Sequence, residues 1–354
     1  MDRNYLGENL IFVISQPRSG STLLQRLLAG HPDVQTSAET WLLLHPVYAF
    51  KDSGIETEFD SKFAAQGVTE LLKNYSDGMH VYDDAIRQWA NVIYSNVLKK
   101  NNKVYFLDKT PRYFFIIPEL YRLFPKAKFI FLLRNPLAVL SSLLTTHVKD
   151  KWPVLSFFRP DLLQAPQLIL NGIDLLMDDA IVIHYEEFVS NPEKNMSSLC
   201  ESLGISYYKE MLDYSNTPTP IGGLNDPVGI HKHTAPSKDS LDKWKRLFAS
   251  PQTSHFALSY VHMLGRDILE KYGYSDELGD VIEQSEKSLL PERNIFPWKT
   301  AIRPKTEWTF MEQYYVYKYF SVIKKGFVRG TLHSIKKYIK LAVHSLWHQL
   351  RMNR

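Results

Sequence analysis

Cysteine is nearly missing from this chain: of 354 residues only Cys200 carries a thiol. One cysteine excludes an internal disulfide and a Cys-rich zinc site. It is compatible with a reducing compartment. Long hydrophobic runs are also missing. No stretch approaches the roughly 18 apolar residues of a membrane-spanning helix, so none is expected. The N-terminus, MDRNYLGENLIFVISQPRSGSTLL, mixes charges and holds an apolar run only from Leu10 to Ile14. That is too short for a signal-peptide core. These absences together make a cytoplasmic setting the expectation. There is no internal repeat. A composition of 44% hydrophobic and 23% charged residues gives no sign of disorder.

Acidic residues disappear after Glu312. From Lys299 to the C-terminus, twelve Lys or Arg face only Glu307 and Glu312. The net charge of +4 therefore divides into a tail of +10 and a body of −6. A basic tail on an acidic body points to an anionic partner such as a membrane surface or a polyanion. Nucleic acid is not expected as a partner.

What is present reads as an α/β domain. LIFVIS (10–15), KVYFLD (103–108), AKFIFLL (127–133) and AIVIHY (180–185) are apolar runs without alternation. Such runs suit parallel strands covered on both faces. Helical patterns separate them, at 81–100 and 136–147, which predicts a doubly wound parallel sheet flanked by helices. The first strand should be central, with its loop at the carboxyl edge where ligands bind. The Pro-, Gly- and Thr-rich stretch 215–240 reads as one long functional loop. The expected division is a catalytic domain over 1–280 and a basic, largely helical extension over 281–354.

The loop after the first strand, Ser15-Gln16-Pro17-Arg18-Ser19-Gly20-Ser21-Thr22, leads into a helix. Backbone N–H groups at such a junction make an anion site. Ser19, Ser21 and Thr22 add hydroxyls, and Arg18 adds a fixed charge. An ordinary Gly-Ser turn would give the same local pattern. The loop lacks parts of the nucleotide triphosphatase signature G-x-x-x-x-G-K-[ST]. Ser15 stands at its first Gly and Ser21 at its Lys. The FIFLL strand ends in Arg134, where a magnesium-holding Asp belongs. The architecture is that of a phosphate loop without triphosphate and metal machinery.

With these residues in view, QPRSGSTLLQRLLAGHPDV resembles the 5′-phosphosulfate loop of sulfotransferases that use 3′-phosphoadenosine 5′-phosphosulfate (PAPS). FIFLLRNPLAVLSSLL resembles their 3′-phosphate motif, an Arg followed eight residues later by Ser, here Arg134 and Ser142. The resemblance runs over about 8–245, lies closest to the bacterial and the tyrosylprotein or carbohydrate branch, and implies a P-loop-like fold with PAPS as donor. It implies Arg18, Ser19, Gly20, Ser21, Thr22, Arg134, Ser142, Tyr185 and Lys232 as donor-binding residues, with no metal. It further implies Glu39 as general base and Lys109 as stabiliser of the departing phosphate oxygen, with Arg18 in the same catalytic set. Arg112 is an alternative to Lys109, or an acceptor ligand. His231 and His233 are candidates for phosphate or acceptor contact, and His184 reads equally as a packed strand residue.

The expected acceptor is a hydroxyl, preferably of a carbohydrate or glycolipid. Trp41, Tyr48, Trp89, Tyr113 and Phe114 could stack on sugar rings or fill a core. A phenol, a peptidyl tyrosine or a small metabolite are the other acceptors weighed, and a P-loop nucleotide or nucleoside kinase is the competing reading. In the C-terminal segment, Leu332, Ile335, Ile339 and Val343 form one helical stripe with Lys336, Lys337 and Lys340 beside it. That pattern fits an interfacial helix or a helix packed on the body.

Overall fold

The computed structural model describes residues 5–51, 54–55, 57–149, 151–215, 235–287, 309–325 and 327–352. Lys232, His231 and His233 lie outside the described residues.

Five strands form one parallel sheet: β1 (Leu10–Ser15), β2 (Val34–Thr36), β3 (Tyr105–Asp108), β4 (Lys128–Leu133) and β5 (Ala180–His184). Their spatial order is β2-β3-β1-β4-β5. β1 is central and buried along its whole length, because its aliphatic and aromatic residues face helices on both sides. Leu10, Phe12 and Ile14 point to the layer holding the helices Gly78–Asn101 and Ala165–Leu176. Ile11 and Val13 point to the layer of Ser21–Ala29 and Pro192–Leu203. This is the doubly wound arrangement the apolar runs predict, and parallel pairing at every strand boundary matches it.

β5 departs from the expectation. It is an edge strand, partly exposed, with Val182 at 40%. Its apolar run covers one neighbour only, and Tyr185 already begins the next helix, Tyr185–Ser190. Helix Gly279–Lys287 continues through residue 280, and Ile282 is buried in the same core as β1.

The sheet order sets where chemistry can gather. β1 lies between β3 and β4, so the loops leaving their carboxyl ends are neighbours. Those loops carry Arg18, Lys109 and Arg134.

Candidate functional site

The β1 loop turns on two residues with positive φ. Arg18 holds φ at 73° and Gly20 at 93°. A Cβ on Gly20 would lie 2.3 Å from Cε2 of Tyr185, so only glycine lets that ring approach. Helix Ser21–Ala29 starts directly after it, with its N-terminus toward the loop. The β4 exit is built by its own sequence. Asn135 caps the helix Pro136–Leu143, its side-chain oxygen accepting from the N–H groups of Leu137 (2.9 Å) and Ala138 (3.4 Å), and Pro136 occupies the first turn. The cap fixes Arg134 just before the helix and Ser142 almost two turns into it.

These two motifs touch. Arg18 Nε donates to Ser142 Oγ at 3.1 Å, and Arg134 Nη1 donates to the Arg18 carbonyl at 2.9 Å. The Arg134 guanidinium stacks over the Tyr185 ring at 4.1 Å. The Tyr185 hydroxyl lies 2.9 Å from Ser240 Oγ. A cavity of about 440 Å³ opens at this junction. Arg18, Gly20, Ser21, Thr22, Arg134, Ser142 and Tyr185 all line it, seven of the residues expected to bind the donor. Ser19 is 1% exposed and does not line the cavity; its Oγ and Arg134 Nε are buried without a hydrogen-bond partner among the described residues. Buried polar atoms are paired in most folded proteins, and Arg134, which lines the cavity, fits a site built to receive an anion.

Sequence reasoning missed part of this wall. Arg26 and Arg246 line the cavity; Lys243, whose place in a Lys-Trp helix start resembles the family's, lines it too, so that among the described residues Arg18, Arg26, Arg134, Lys243 and Arg246 face Asp239 as the one carboxylate of its lining. Arg26 lies one turn beyond Thr22 on the first helix, a spacing that could have pointed to it. It donates to the Tyr214 carbonyl at 3.0 Å and stacks on that ring at 4.2 Å.

Glu39 and Lys109 meet as an ion pair, Nζ to Oε1, at 3.0 Å. They lie outside the cavity lining. Lys109 is 3% exposed, and burying a charge so deeply requires a partner. Glu39 Oε2 accepts from the Trp41 indole N–H at 3.2 Å, so both carboxylate oxygens are engaged. Trp41 itself holds φ at 53°.

The pair is carried by a buried hub. Asp108, the last residue of β3, is fully buried and accepts from four hydroxyls. Thr40 and Tyr94 donate to Oδ2 at 2.7 Å, Tyr113 to the same oxygen at 3.0 Å, and Thr110 to Oδ1 at 3.1 Å. Burial pushes the Asp108 carboxyl above its ordinary value, and the four donors act against that rise. Trp41 N–H donates to Thr110 Oγ1 and Leu43 N–H to the Tyr113 hydroxyl, each at 3.2 Å. The segment after β2, which carries Glu39, is thus tied to the turn after β3, which carries Lys109.

The structure bears on two readings that the sequence left open. Arg112 is locked, donating to both Asp161 carboxylate oxygens at 3.2 and 2.8 Å and to the Phe157 carbonyl at 3.1 Å. Burial raises the Asp161 carboxyl, while Arg112 opposes the rise. Tyr113 and Phe114 are buried in the core, at 0% and 1% exposure, and cannot stack on an acceptor. Their apolar rings are consumed by packing beneath β1. Trp41 is the aromatic that stands beside Glu39.

Comparison with known proteins adds the following. The sulfotransferase family matches residues 10–210. The chain is similar to nodulation protein NoeE of Sinorhizobium fredii, 30% identical over 294 residues that make up 76% of this chain and 67% of that protein. It is similar to protein-tyrosine sulfotransferase 1 of Danio rerio, 27% identical over 221 residues, covering 61% of this chain and 59% of that one. Among solved structures, a sulfotransferase domain from the curacin biosynthetic pathway superposes with a TM-score of 0.49 at 24% identity, covering 68% of this chain and 92% of that one.

Proposed function

Because the chain belongs to the sulfotransferase family and is a sulfotransferase enzyme, we propose that it moves a sulfuryl group from PAPS to an acceptor hydroxyl of a carbohydrate or glycolipid. PAPS is the standard donor of the family, and it supplies an activated sulfuryl group on a nucleotide anionic at both ends. The observation that carries the donor reading is the contact between the two motifs, Arg18 with Ser142 and Arg134 with Arg18, at the wall of one cationic cavity. Arg134 and Ser142 would hold the 3′-phosphate. Arg18, Ser19, Gly20, Ser21 and Thr22 would hold the phosphosulfate end, with the first helix's N-terminus adding positive potential. Tyr185 keeps Arg134 in place through its ring. Lys232 is retained as a donor ligand on the resemblance alone.

On the acceptor side, Glu39 would take the hydroxyl proton as the oxygen attacks. Trp41 fixes the carboxylate through Oε2. Lys109 neutralises Glu39 before substrates arrive, and its ammonium would stabilise the oxygen uncovered when the sulfuryl group leaves. The chemistry is proposed to run without a metal and to persist in EDTA. The kinase alternative is disfavoured by family membership and by Arg134 at the end of β4. A cytoplasmic setting remains part of the proposal.

Incubating the protein with PAPS and a panel of sugars, glycolipids, phenols and tyrosyl peptides, with mass spectrometry for the added sulfuryl group, tests the reading. Transfer to a sugar hydroxyl is expected. Transfer confined to tyrosyl peptides would move the acceptor to that class, and no transfer to any panel member would remove the acceptor proposal.

A further inference from the structure

The C-terminal hairpin is built with its apolar residues turned outward. Helix Phe327–Met352 packs against helix Phe310–Lys325 through small and aromatic residues. Ser334 is fully buried there, and a Cβ on Gly330 would come within 2.4 Å of the Ser321 carbonyl. Tyr338 stacks among Phe310, Tyr314 and Tyr317, at ring separations of 4.9, 5.1 and 5.9 Å. Five aliphatic residues of the second helix lie off this seam among the described residues. Val328, Leu332, Ile339 and Val343 are 60% exposed or more, and Ile335 is 42% exposed.

At about 100° per residue these five positions fall within an arc of about 80°. Arg329, Lys336 and Lys340 border that arc on one side and are exposed. No Asp or Glu occurs anywhere in Phe327–Met352. A surface helix normally buries its aliphatic stripe on the body and shows water its charges. Here the stripe faces away, next to a purely basic flank. Among the described residues, no helix is long and apolar enough to cross a membrane. The charge disfavours an antiparallel interface with a like copy, because the same basic flank would meet itself there. A polyanion alone would need the cations but not the stripe.

We propose that helix Phe327–Met352 lies in the plane of an anionic lipid surface, its Val328–Val343 stripe in the acyl boundary and Arg329, Lys336 and Lys340 on lipid phosphates. This does not depend on which group the enzyme transfers. The hairpin joins the body at the turn Trp152–Phe158, whose Phe157 carbonyl holds Arg112. Arg112 in turn pairs with Asp161, whose carboxyl feels the charge of Glu39. A docked hairpin would therefore hold the acceptor side close to the lipid.

Sedimentation of the full-length protein with vesicles decides this. Vesicles of equal parts phosphatidylcholine and phosphatidylserine should pellet the protein at low salt, and phosphatidylcholine alone should not. The triple change Arg329→Glu, Lys336→Glu, Lys340→Glu should lower partitioning about 100-fold or more, as expected for three cations at an anionic surface. Leu332→Ser with Ile339→Ser should lower it about 10-fold with every charge kept, since both residues would leave the acyl boundary. Both sites are exposed, so an unchanged thermal melt is the folding control. Protein that stays in the supernatant with phosphatidylserine vesicles overturns the proposal. So does binding that ignores Leu332→Ser with Ile339→Ser, which would be plain adsorption of cations. A dimer in light scattering that those two changes dissociate would assign the stripe to a second copy and overturn it as well.

Discussion

The donor cavity and the Glu39–Lys109 pair sit at the same edge of one sheet, yet they handle charge in opposite ways. Among the described residues, five cations and a single carboxylate line the cavity, and Ser19 Oγ and Arg134 Nε beside it have no hydrogen-bond partner. On the other side the named charges are engaged: Lys109 pairs with Glu39, Arg112 pairs with Asp161, and Asp108 accepts from four hydroxyls. The cavity is prepared to receive an anion. The pair is prepared to be held still and to exchange one partner when the acceptor enters. Changes on the first side should therefore strike nucleotide affinity, and changes on the second should strike turnover.

The sharpest break in that contrast is expected from the ion pair. Glu39→Gln should reduce kcat about 100-fold or more, with affinity for adenosine 3′,5′-bisphosphate changed less than about 2-fold. Lys109→Ala should reduce kcat on a similar scale. Steady-state kinetics alongside calorimetric titration of the nucleotide separate the two effects. If Glu39→Gln turns over at the parental rate, the base is another residue.

Next in size is the hub. Asp108→Asn keeps the volume but cannot accept from four hydroxyls, leaving at least one buried hydroxyl unpaired. A loss of about 1–3 kcal/mol in denaturant unfolding is expected. A kcat loss of about 10-fold should accompany it with nucleotide affinity intact, because the segment carrying Glu39 is no longer tied to the turn carrying Lys109. Equal losses in kcat and nucleotide affinity would show that Asp108 supports the whole edge and not one side.

Gly20→Ala should do the reverse. Its Cβ collides with Tyr185 and its φ favours glycine, so nucleotide affinity should fall about 10-fold through displaced Arg134. Turnover at saturating donor should change little. Ser240→Ala is the smallest test, removing one hydroxyl contact to Tyr185 at a cost near or below about 1 kcal/mol in nucleotide binding.

The donor side was readable in the sequence because its signals are local. Strand, loop and helix follow one another over 10–29, and Arg134, Asn135 and Pro136 write a strand end, a cap and a first turn in three residues. β1, β3 and β4 were equally clear, since a strand covered on both faces must be apolar throughout. β5 misled by the same rule, as an apolar edge strand has the same composition. The acceptor side was readable only in its two charged residues. The Asp108 hub draws on Tyr94, which lies on a helix before the strand, and Asp161 reaches Arg112 across 49 positions. Such pairings depend on how helices stack on the sheet, and no spacing rule encodes that. Whether the C-terminal stripe faced inward or outward was likewise open, because both cases share one periodicity.

The central claim is that the motifs after β1 and β4 together hold a nucleotide anionic at both ends. Calorimetric titration with adenosine 3′,5′-bisphosphate and with AMP tests it most directly, in the parent and in Arg134→Ala. The parent should prefer the bisphosphate by about 10- to 100-fold, the range of one or two charge-assisted hydrogen bonds, and Arg134→Ala should remove most of that preference. Equal affinity for both nucleotides, or a preference that survives Arg134→Ala, would contradict it.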